Sequence, residues 1–419
     1  MQRETIWIIN QYASTPQTGM GGRHYYLARE LAKQGHRVYL IAASYTHLLR
    51  ESPSIQESYE VKEIEGFNFV WVRMPRYENA HNKQRIFNWF LFAWKICGLT
   101  KVITHKPDAI LYSSPSLVGF LGAKNLANKY PKARLVFDVR DIWPLTLVLL
   151  GGYSVKNPFI RFLQWIEKKA CNQSDHVISN WPYAVEHMVD HGLKRENFTW
   201  LPNGFLFEEF DLQEILPQAL VELIPKDKFI VGYTGTLGKA NALDVLLDTA
   251  EIMKGEGGVA FVIVGGGKEK SELIEEIATR GLNNVYYLGS IPKLQVPSML
   301  SNFDACYVGF RKNPLYLFGS SLNKLPEYFA SKKPIIYSID SPFKPVDDAL
   351  AGITVPAESP RDIAAAITSI KDMSSDERQV LGENGFNYAL EHYEYEKLGV
   401  KLAGILLGND KADKSLSFM

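Results

Sequence analysis

The segment GFRKNPLYLFGSSLNKLPEYFASKKPIIY, residues 309–337, contains a polar loop and a helical stretch that lie between two short apolar runs. The apolar runs belong to the stretches FDACYVGF and PIIYSI, which are typical of parallel strands buried on both faces. The loop is rich in Gly, Ser, Asn and Pro, and the helical stretch begins near Lys324. This order predicts an α/β fold with a parallel sheet, with the loop at the sheet edge.

Lys324 and Glu327 stand at positions i and i+3, in the first turn of this predicted helix and on one face of it. A helix N-terminus favours anions, a lysine there favours a phosphate, and a nearby carboxylate can hold a ribose diol. Most pairs with this spacing are solvated neighbours that stabilise a helix by roughly a few tenths of a kcal/mol. The loop before the helix, with Ser321 and Asn323, favours the alternative of a nucleotide-diphosphate site.

The same segment resembles a pattern of the family 4 glycosyltransferases of the GT-B type, in particular those that build bacterial surface polysaccharides. That pattern is approximately PLYxFGxSxNKLxxYxAxxKPI. The chain matches it at Pro314, Leu315, Tyr316, Phe318, Gly319, Ser321, Asn323, Lys324, Leu325, Tyr328, Ala330, Lys333, Pro334 and Ile335. Many family members carry two glutamates eight positions apart. Glu327 matches the second, whereas Gly319 replaces the first, so the chain lacks the usual carboxylate on the loop that faces the donor sugar.

Length and composition set limits on the class of protein. The 419 residues suffice for two domains with separate cores, and the formal net charge of zero gives no field that favours nucleic acid as a partner. The three cysteines form neither a disulfide framework nor a metal-ligand spacing, which is typical of a reducing compartment. With no signal peptide and no apolar run of about 20 residues, we predict a cytoplasmic protein.

The N-terminal part predicts a strand at residues 5–9, a helix at about 23–34 and a second strand at 36–44. The glycines of the intervening loop, including Gly21 and Gly22, allow backbone amides to approach a phosphate or a sugar, although many such turns are merely tight. The loop lacks the GxGxxG fingerprint of dinucleotide-binding proteins. It does resemble the family pattern GG…LAxxLxxxGHxV, which implies a place near the donor phosphates and the acceptor.

Two aromatic-rich helical stretches, residues 84–104 and 158–170, are flanked by lysine and arginine. One interpretation is that both helices pack inside the N-terminal domain. The alternative is a peripheral membrane face, in which aromatic rings enter the lipid and cations meet the headgroups. Such a face at the inner side of the membrane would suit a lipid-linked acceptor of the undecaprenyl type.

The stretch RLVFDVRDIWP, residues 134–144, predicts a strand whose C-terminal end carries Arg140 and Asp141, where open α/β sheets bind ligands. These two side chains could equally form an ion pair that caps the strand. The family has RDxWP at this point, and the resemblance implies that Asp138, Arg140 and Asp141 lie on the acceptor side. His24 or Asp141 would contact the acceptor hydroxyl.

The second half repeats the order of strand, loop and helix, beginning with the strand FIVGY and the loop GTLGK. The resemblance implies that this loop lies under the donor pyrophosphate. It also implies that backbone groups near residues 289–292 recognise the base of the nucleotide. Lys239 is the one cation of this loop and could contact the pyrophosphate. The alternative is that it is an ordinary solvent-exposed lysine. The residues implied in donor binding are Gly235, Thr236, Lys239, Gly289, Ile291, Pro292, Arg311, Ser321, Asn323 and Glu327.

Both halves together predict two Rossmann-like domains with parallel sheets, and the GT-B resemblance implies that these face an interdomain cleft. We place the N-terminal acceptor domain at residues 1–204, up to a PNG turn, and the C-terminal donor domain at 205–387. A final helix is predicted at about 376–406, and its part from about 388 to 406 packs back on the first domain.

The resemblance implies a retaining, metal-independent hexosyltransferase-type enzyme that uses a UDP-sugar, with an N-acetylated or deoxy hexose, and a lipid-linked or oligosaccharide acceptor. Lys324, helped by Lys239 or Arg311, would stabilise charge on the departing diphosphate, so that no cofactor is required. Two alternatives remain open. One is a UDP-sugar epimerase of the same fold, and the other is a non-catalytic nucleotide-sugar-binding subunit, which the glycine at position 319 suggests.

Overall fold

The protein is represented by a computed structural model, which describes residues 3–19, 21–77, 83–212, 214–255 and 257–409. Its contacts divide the chain into two compact units. The first combines the segment up to Pro202 with the segment from Tyr395 onward, and the second runs from Asn203 to Glu394. This division falls two residues before the boundary predicted from the PNG turn.

The first unit is built on an eight-stranded sheet with the order β3-β4-β2-β1-β5-β6-β7-β8. Its neighbours pair in parallel except for β3 and β4, which form an antiparallel hairpin at one edge. The central strands are buried along their whole length, as the apolar runs predicted. The strands are β1 Thr5–Ile9, β2 Arg37–Ala43, β3 Tyr59–Ile64, β4 Phe67–Val72, β5 Ala109–Ser113, β6 Arg134–Val139, β7 His176–Ser179 and β8 Phe198–Trp200.

Helices cover the sheet of the first unit. Those in the segment up to Pro202 are α1 Arg23–Lys33, α2 Lys83–Ile96, α3 Gly119–Lys129, α4 Leu145–Leu149, α5 Pro158–Gln173 and α6 Ala184–Val189. The prediction of one helix over 84–104 was too long, because α2 ends at Ile96 and a short 3-10 turn follows at Leu99–Lys101. The carbonyl of Lys95 accepts hydrogen bonds from the Tyr59 hydroxyl and the Gly98 amide, which turns the chain out of the α-helical path.

The second unit contains a six-stranded, wholly parallel sheet with the order β11-β10-β9-β12-β13-β14. Its core is apolar and lies between this sheet and the flanking helices, among them the helices that follow β9 and β14. The strands are β9 Phe229–Thr234, β10 Val259–Val264, β11 Val285–Tyr287, β12 Ala305–Gly309, β13 Ile335–Ser338 and β14 Gly352–Val355. The strands predicted on both sides of the segment 309–337 are β12 and β13.

The helices of the second unit alternate with its strands. They are α7 Phe207–Asp211, α8 Gln218–Val221, α9 Leu243–Ile252, α10 Lys270–Thr279, α11 Val296–Leu300, α12 Lys324–Ala330, α13 Pro345–Asp348, α14 Pro360–Asp372 and α15 Ser375–His392. Lys324 is the first residue of α12 and Glu327 lies in its first turn, as predicted. Among the residues that the structure describes, no helix combines the length and the apolar character needed to cross a bilayer.

The C-terminal helix predicted at 376–406 is two helices, which is a correction. α15 ends at His392, and α16, Tyr395–Leu407, belongs to the first unit and packs against α1. The physical reason lies at the junction, where the Tyr393 carbonyl accepts a hydrogen bond from the Phe205 amide and Glu394 forms a strand-like bridge with Phe205. These contacts take the Tyr393 carbonyl and residue 394 out of the helical hydrogen-bond ladder.

Candidate functional site

In the second unit, the ammonium of Lys324 lies beside the loop that follows β9. Its Nζ donates hydrogen bonds to the Tyr233 hydroxyl, at 2.8 Å, and to Asn241 Oδ1, at 2.9 Å. It also lies 4.0 Å from the centroid of the Tyr233 ring, within the range of a cation–π contact. Among the described residues, its hydrogen-bond and cation–π partners are neutral side chains. The positive charge is therefore held by neutral groups.

Burial lowers the pKa of Lys324 to about 7, and the carboxylate of Glu327 opposes this shift. Taking an ammonium out of water disfavours its charged form unless an anion compensates. An incoming phosphate would supply that compensation. The site is thus electrostatically suited to an anion while the lysine is only partly charged without one.

Beside Lys324, a glycine from the loop after β9 and a glycine from the loop after β10 pack their backbones directly on each other. Gly235 has a φ of +145° and Gly265 a φ of +144°, a region that favours glycine. A Cβ at Gly265 would lie 1.8 Å from the Gly235 carbonyl oxygen, and one at Gly235 would lie 3.0 Å from Lys324 Nζ. Side chains are thereby kept away from the ammonium, which leaves room beside it.

The loop before α12 is bound to the PNG turn. The side-chain amide of Asn203 donates to Ser321 Oγ, at 3.2 Å, and to Asn323 Oδ1, at 2.9 Å. The Tyr328 hydroxyl accepts a bond from the Thr234 amide, at 2.7 Å, and donates to the Thr234 carbonyl. These bonds connect α12 to the end of β9 and fix where Lys324 and Glu327 lie.

Two further cations predicted to bind the donor, Arg311 and Lys239, lie elsewhere in the second unit and have other partners than Lys324. Arg311 donates to Asp244, at 2.6 Å, to the Lys239 carbonyl, at 3.2 Å, and to Glu358, at 3.5 Å. These partners distinguish it from Lys324, because its charge is already balanced by carboxylates. Lys239 begins a 3-10 turn after the loop residue Thr236, whose carbonyl accepts a bond from Tyr233.

The residues predicted to read the base follow β11. Gly289 has a φ of +79°, and its carbonyl accepts a bond from the Gly265 amide at 2.7 Å. Pro292 caps a short 3-10 turn, and Ile291 lies between them in a stretch without regular secondary structure. The structure thus joins Gly289 to the same glycine contact that borders Lys324.

In the first unit, the acceptor-side candidates form a buried network at the C-terminal ends of β5 and β6. His24 Nε2 lies 2.7 Å from Ser113 Oγ, and Ser113 Oγ donates to Asp138 Oδ2 at 2.8 Å. Arg23 Nη2 lies 3.4 Å from Asp138 Oδ1, and Arg23 also donates to the Pro202 carbonyl. The network therefore contains a carboxylate, a guanidinium, a hydroxyl and an imidazole in mutual contact.

The proton positions in this network follow from its charges. Burial raises the pKa of Asp138, but Arg23 and His24 outweigh that effect and hold it well below its usual range. Burial lowers the pKa of His24 to about 4, against the opposing hydrogen bond to Asp138, so the imidazole is neutral at neutral pH. Because the Ser113 proton goes to Asp138, His24 donates from Nε2, and its Nδ1 carries the lone pair.

Arg140 and Asp141 lie just beyond β6, and each has hydrogen-bond partners of its own. The Arg140 amide donates to Ser114 Oγ at 2.8 Å, and burial together with Arg23 lowers the pKa of its guanidinium. Asp141 accepts bonds from Trp143 Nε1, at 2.9 Å, and from Thr146 Oγ1, at 2.6 Å. Burial raises the pKa of Asp141, although both donors oppose this. Its two oxygens are thus occupied within the chain.

Gly21 and Gly22 directly precede α1, with φ values of +64° and +81°, and Gly22 is the N-cap residue. Four side chains that contact the candidates were not predicted from the sequence, because tyrosine, asparagine, arginine and serine carry no local signal of such a role. They are Tyr233, Asn241, Arg23 and Ser113.

Comparison with known families identifies the chain. The model described as Glycosyltransferase Family 4 matches residues 18–206, and the model described as Glycosyl transferases group 1 matches residues 218–388. The chain is a family 4 glycosyltransferase. This glycosyltransferase is also 25% identical over 305 residues to WcaI of Escherichia coli (strain K12), whose name assigns it to colanic acid biosynthesis as a glycosyl transferase. That similarity covers 70% of this chain and 74% of WcaI.

Solved structures of similar fold cover nearly the whole glycosyltransferase. Sucrose-phosphate synthase from Thermosynechococcus elongatus matches 96% of this chain and 98% of its own, with a TM-score of 0.73 and 15% identity. HepE of Anabaena, solved in complex with UDP-glucose, matches 96% and 99%, with a TM-score of 0.64 and 15% identity. At these identities the likeness concerns the fold, and it confirms the predicted GT-B class with two parallel-sheet α/β domains.

Proposed function

We propose that this glycosyltransferase transfers a hexose from a UDP-sugar, with retention and without a required metal, to a lipid-linked or oligosaccharide acceptor in cell-surface polysaccharide synthesis. The observation that carries the proposal is the environment of Lys324. A partly buried ammonium held by a tyrosine and an asparagine is arranged to receive a diphosphate. Charge develops on that diphosphate as the bond to the sugar breaks, and a preorganised cation stabilises it.

UDP as the nucleotide is supported by the relatives, since HepE was solved with UDP and with UDP-glucose. A surface polysaccharide as the destination is supported by the similarity to WcaI. Glu327 follows Lys324 by one helical turn, a spacing at which a carboxylate can hold the ribose while the lysine holds the phosphates. The glycine at position 319 leaves the sugar without the usual carboxylate, so other groups would select the hexose.

On the acceptor side, His24 is the best candidate to contact the reacting hydroxyl. Its Nε2 proton is engaged by Ser113, which leaves the Nδ1 lone pair as the acceptor of the ring. A pKa of about 4 keeps this ring neutral, and Asp138 and Ser113 fix its orientation. Asp141, whose oxygens are occupied by Trp143 and Thr146, is better placed to order the loop after β6.

A peripheral membrane contact is supported by an apolar face on α2 and α5. Phe90 and Phe162 stack with centroids 5.9 Å apart, which joins the two helices. Trp94 is 72% exposed and Trp165 is 52% exposed. Each helix contributes three lysines or arginines, and the one carboxylate of the two helices, Glu167 on α5, is buried. This combination matches an anionic lipid surface and would place the enzyme at the inner face of the membrane.

The function is tested by incubating the purified protein with a panel of UDP-sugars, with and without membrane extract that contains lipid-linked acceptors. Acceptor-dependent release of UDP, together with a radiolabelled lipid product, supports transfer. A new epimer formed without acceptor would instead support the epimerase alternative. UDP binding without either product, in the presence of extracts from several polysaccharide-producing strains, would support the non-catalytic alternative.

The membrane contact has a separate test. We expect the wild-type protein to float with vesicles that contain anionic phospholipid, and the variant Trp94→Ser/Trp165→Ser to lose most of this binding. Val380→Ser is the matched control, because Val380 is 57% exposed on α15 in the other unit. Equal flotation of all three proteins would contradict the proposed face.

A further inference from the structure

A cluster of two histidines and a glutamate lies in the first unit, where α5 is followed by β7 and α6. Glu167 belongs to α5, His187 to α6, and His191 follows α6 directly. One donor atom from each of the three side chains lies within 4.8 Å of the other two. No step of the proposed sugar transfer uses these residues, and the sequence does not suggest them, since Glu167 is 20 positions from His187.

The distances suit a shared central ion. Glu167 Oε1 lies 2.8 Å from His187 Nε2, and Glu167 Oε2 lies 3.4 Å from His191 Nε2. In a tetrahedral zinc site, with bonds of about 2.0–2.1 Å, neighbouring donor atoms are about 3.4 Å apart. Only small side-chain movements would therefore bring the three donors around one ion.

The hydrogen bonds of His191 leave its Nε2 facing another acceptor. Its Nδ1 lies 2.9 Å from the His187 carbonyl, and because a carbonyl can only accept, Nδ1 carries the proton of the neutral ring. The lone pair of Nε2 then faces Glu167 Oε2, which accepts no hydrogen bond from any described residue. Glu167 is 3% exposed, so this oxygen is buried. Two opposed acceptors need a proton or a metal ion between them.

The types of the three ligands restrict the ion. Two imidazoles and one carboxylate prefer Zn²⁺ and the neighbouring divalent transition metals to Mg²⁺ or Ca²⁺, which require more oxygen ligands. The bond from His191 Nδ1 to a backbone carbonyl is the kind of outer contact that fixes a metal-binding histidine. The side chains of His187 and His191 are 14% and 22% exposed, so water can supply a fourth ligand.

We propose that Glu167, His187 and His191 form a binding site for a divalent transition-metal ion of the Zn²⁺ class, which ties α5 to the end of α6. The site is structural and lies outside the sugar-transfer residues. By holding α5, it would also hold the helix that carries Trp165. Its occupancy is independent of whether the donor is a UDP-sugar.

The test is a titration of the metal-free, full-length protein with Zn²⁺, followed by calorimetry, and with Co²⁺, followed by visible absorption. We expect one ion per chain and the intense Co²⁺ bands of a four-coordinate site. His191→Ala should weaken the affinity at least about tenfold, and so should Glu167→Gln. Glu186→Gln is the matched control, because Glu186 lies on α6 but pairs with Arg195 on the exposed side. It should bind the ion as the wild type does.

Two results would overturn the proposal. One is the absence of Zn²⁺ binding by the folded wild-type protein up to millimolar concentration, in which case His191 is the protonated partner of Glu167. The other is unchanged affinity in His191→Ala. If either variant fails to fold, the Co²⁺ spectrum of the wild type still decides, because a six-coordinate, weakly absorbing spectrum contradicts the four-coordinate site proposed here.

Discussion

Each of the two units encloses a cationic side chain near the ends of its parallel strands, and the two cations are compensated in opposite ways. In the first unit, the guanidinium of Arg23 faces the carboxylate of Asp138, and both are almost completely buried. In the second unit, the ammonium of Lys324 faces the hydroxyl and ring of Tyr233 and the amide oxygen of Asn241. One charge has its counter-ion in the chain, whereas the other has neutral partners.

This difference indicates different tasks. A buried ion pair fixes local structure, and here its carboxylate orients His24 through Ser113, while burial keeps the imidazole neutral. An ammonium that is largely removed from water and whose direct partners are neutral destabilises the protein until an anion binds. A binding site can tolerate this cost because the ligand relieves it. In the first unit the buried cation is thus balanced within the chain, whereas in the second unit full balance requires a bound anion.

The largest effect on stability is expected for Asp138→Asn. The substitution leaves the buried guanidinium of Arg23 without a carboxylate, so the free energy of unfolding should fall by about 3–5 kcal/mol. Urea denaturation followed by circular dichroism measures this. A loss below about 1 kcal/mol would mean that Arg23 has adequate neutral partners, and the contrast between the two units would disappear.

The largest effect on activity is expected for Lys324→Met. Removing the cation should lower turnover by about 10²- to 10³-fold, while the fold is kept, because the stabilisation of charge on the leaving diphosphate is lost. Initial rates of UDP release measure this, and Arg311→Gln serves as the control for loss of a positive charge in the same unit. Near-normal turnover in Lys324→Met would remove the basis of the proposed phosphate role.

The pH dependence of stability tests whether the charge on Lys324 destabilises the protein in the absence of a ligand. Burial lowers the pKa of Lys324 to about 7 in the folded protein, and the unfolded chain retains the ordinary value. Burying the charge therefore destabilises the wild type fully below pH 7, and this penalty fades as the pH rises toward that ordinary value. We expect Lys324→Met to be as stable as the wild type or more stable at pH 6, with the wild type gaining relative to the variant as the pH increases.

Parallel thermal melts of wild type and Lys324→Met from pH 6 to pH 10 give the difference in the free energy of unfolding between the two proteins. This difference should move in favour of the wild type by about 1.4 kcal/mol for each pH unit above 7. A difference that does not vary with pH would show that the ammonium is charged and compensated throughout. The ion pair of Arg23 and Asp138 should not contribute to this pH dependence, since the Asp138 carboxylate stays ionised from pH 6 to pH 10.

The smallest effect is expected for Arg311→Gln. This guanidinium is 37% exposed and already pairs with Asp244, so its loss should change the free energy of unfolding by about 1 kcal/mol or less. Because its charge is balanced, turnover should stay within a few-fold of the wild type. A loss of activity as large as that of Lys324→Met would show that Arg311 leaves its carboxylates to bind the donor.

Much of the architecture could be predicted because it depends on local patterns in the sequence. The apolar runs indicated the strands, and the loop–helix junction before α12 placed Lys324 and Glu327 correctly in its first turn. The prediction failed where a distant contact decides the outcome, as at Tyr393, whose bond to Phe205 divides the C-terminal helix. The same holds for α2, which ends early because Tyr59 binds the Lys95 carbonyl.

The sequence by itself determined two α/β units, the family, and which lysine begins the helix after the Ser- and Asn-rich loop, because these depend on hydrophobic periodicity and short motifs. The tertiary structure alone decided that Tyr233 and Asn241 hold that lysine, that Arg23 neutralises Asp138, and that Glu167 meets two histidines. Such partners are 20 to more than 100 residues apart, for example 83 between Lys324 and Asn241. Only the packing of the folded chain brings such partners together, and a short sequence motif cannot indicate which distant residues will meet.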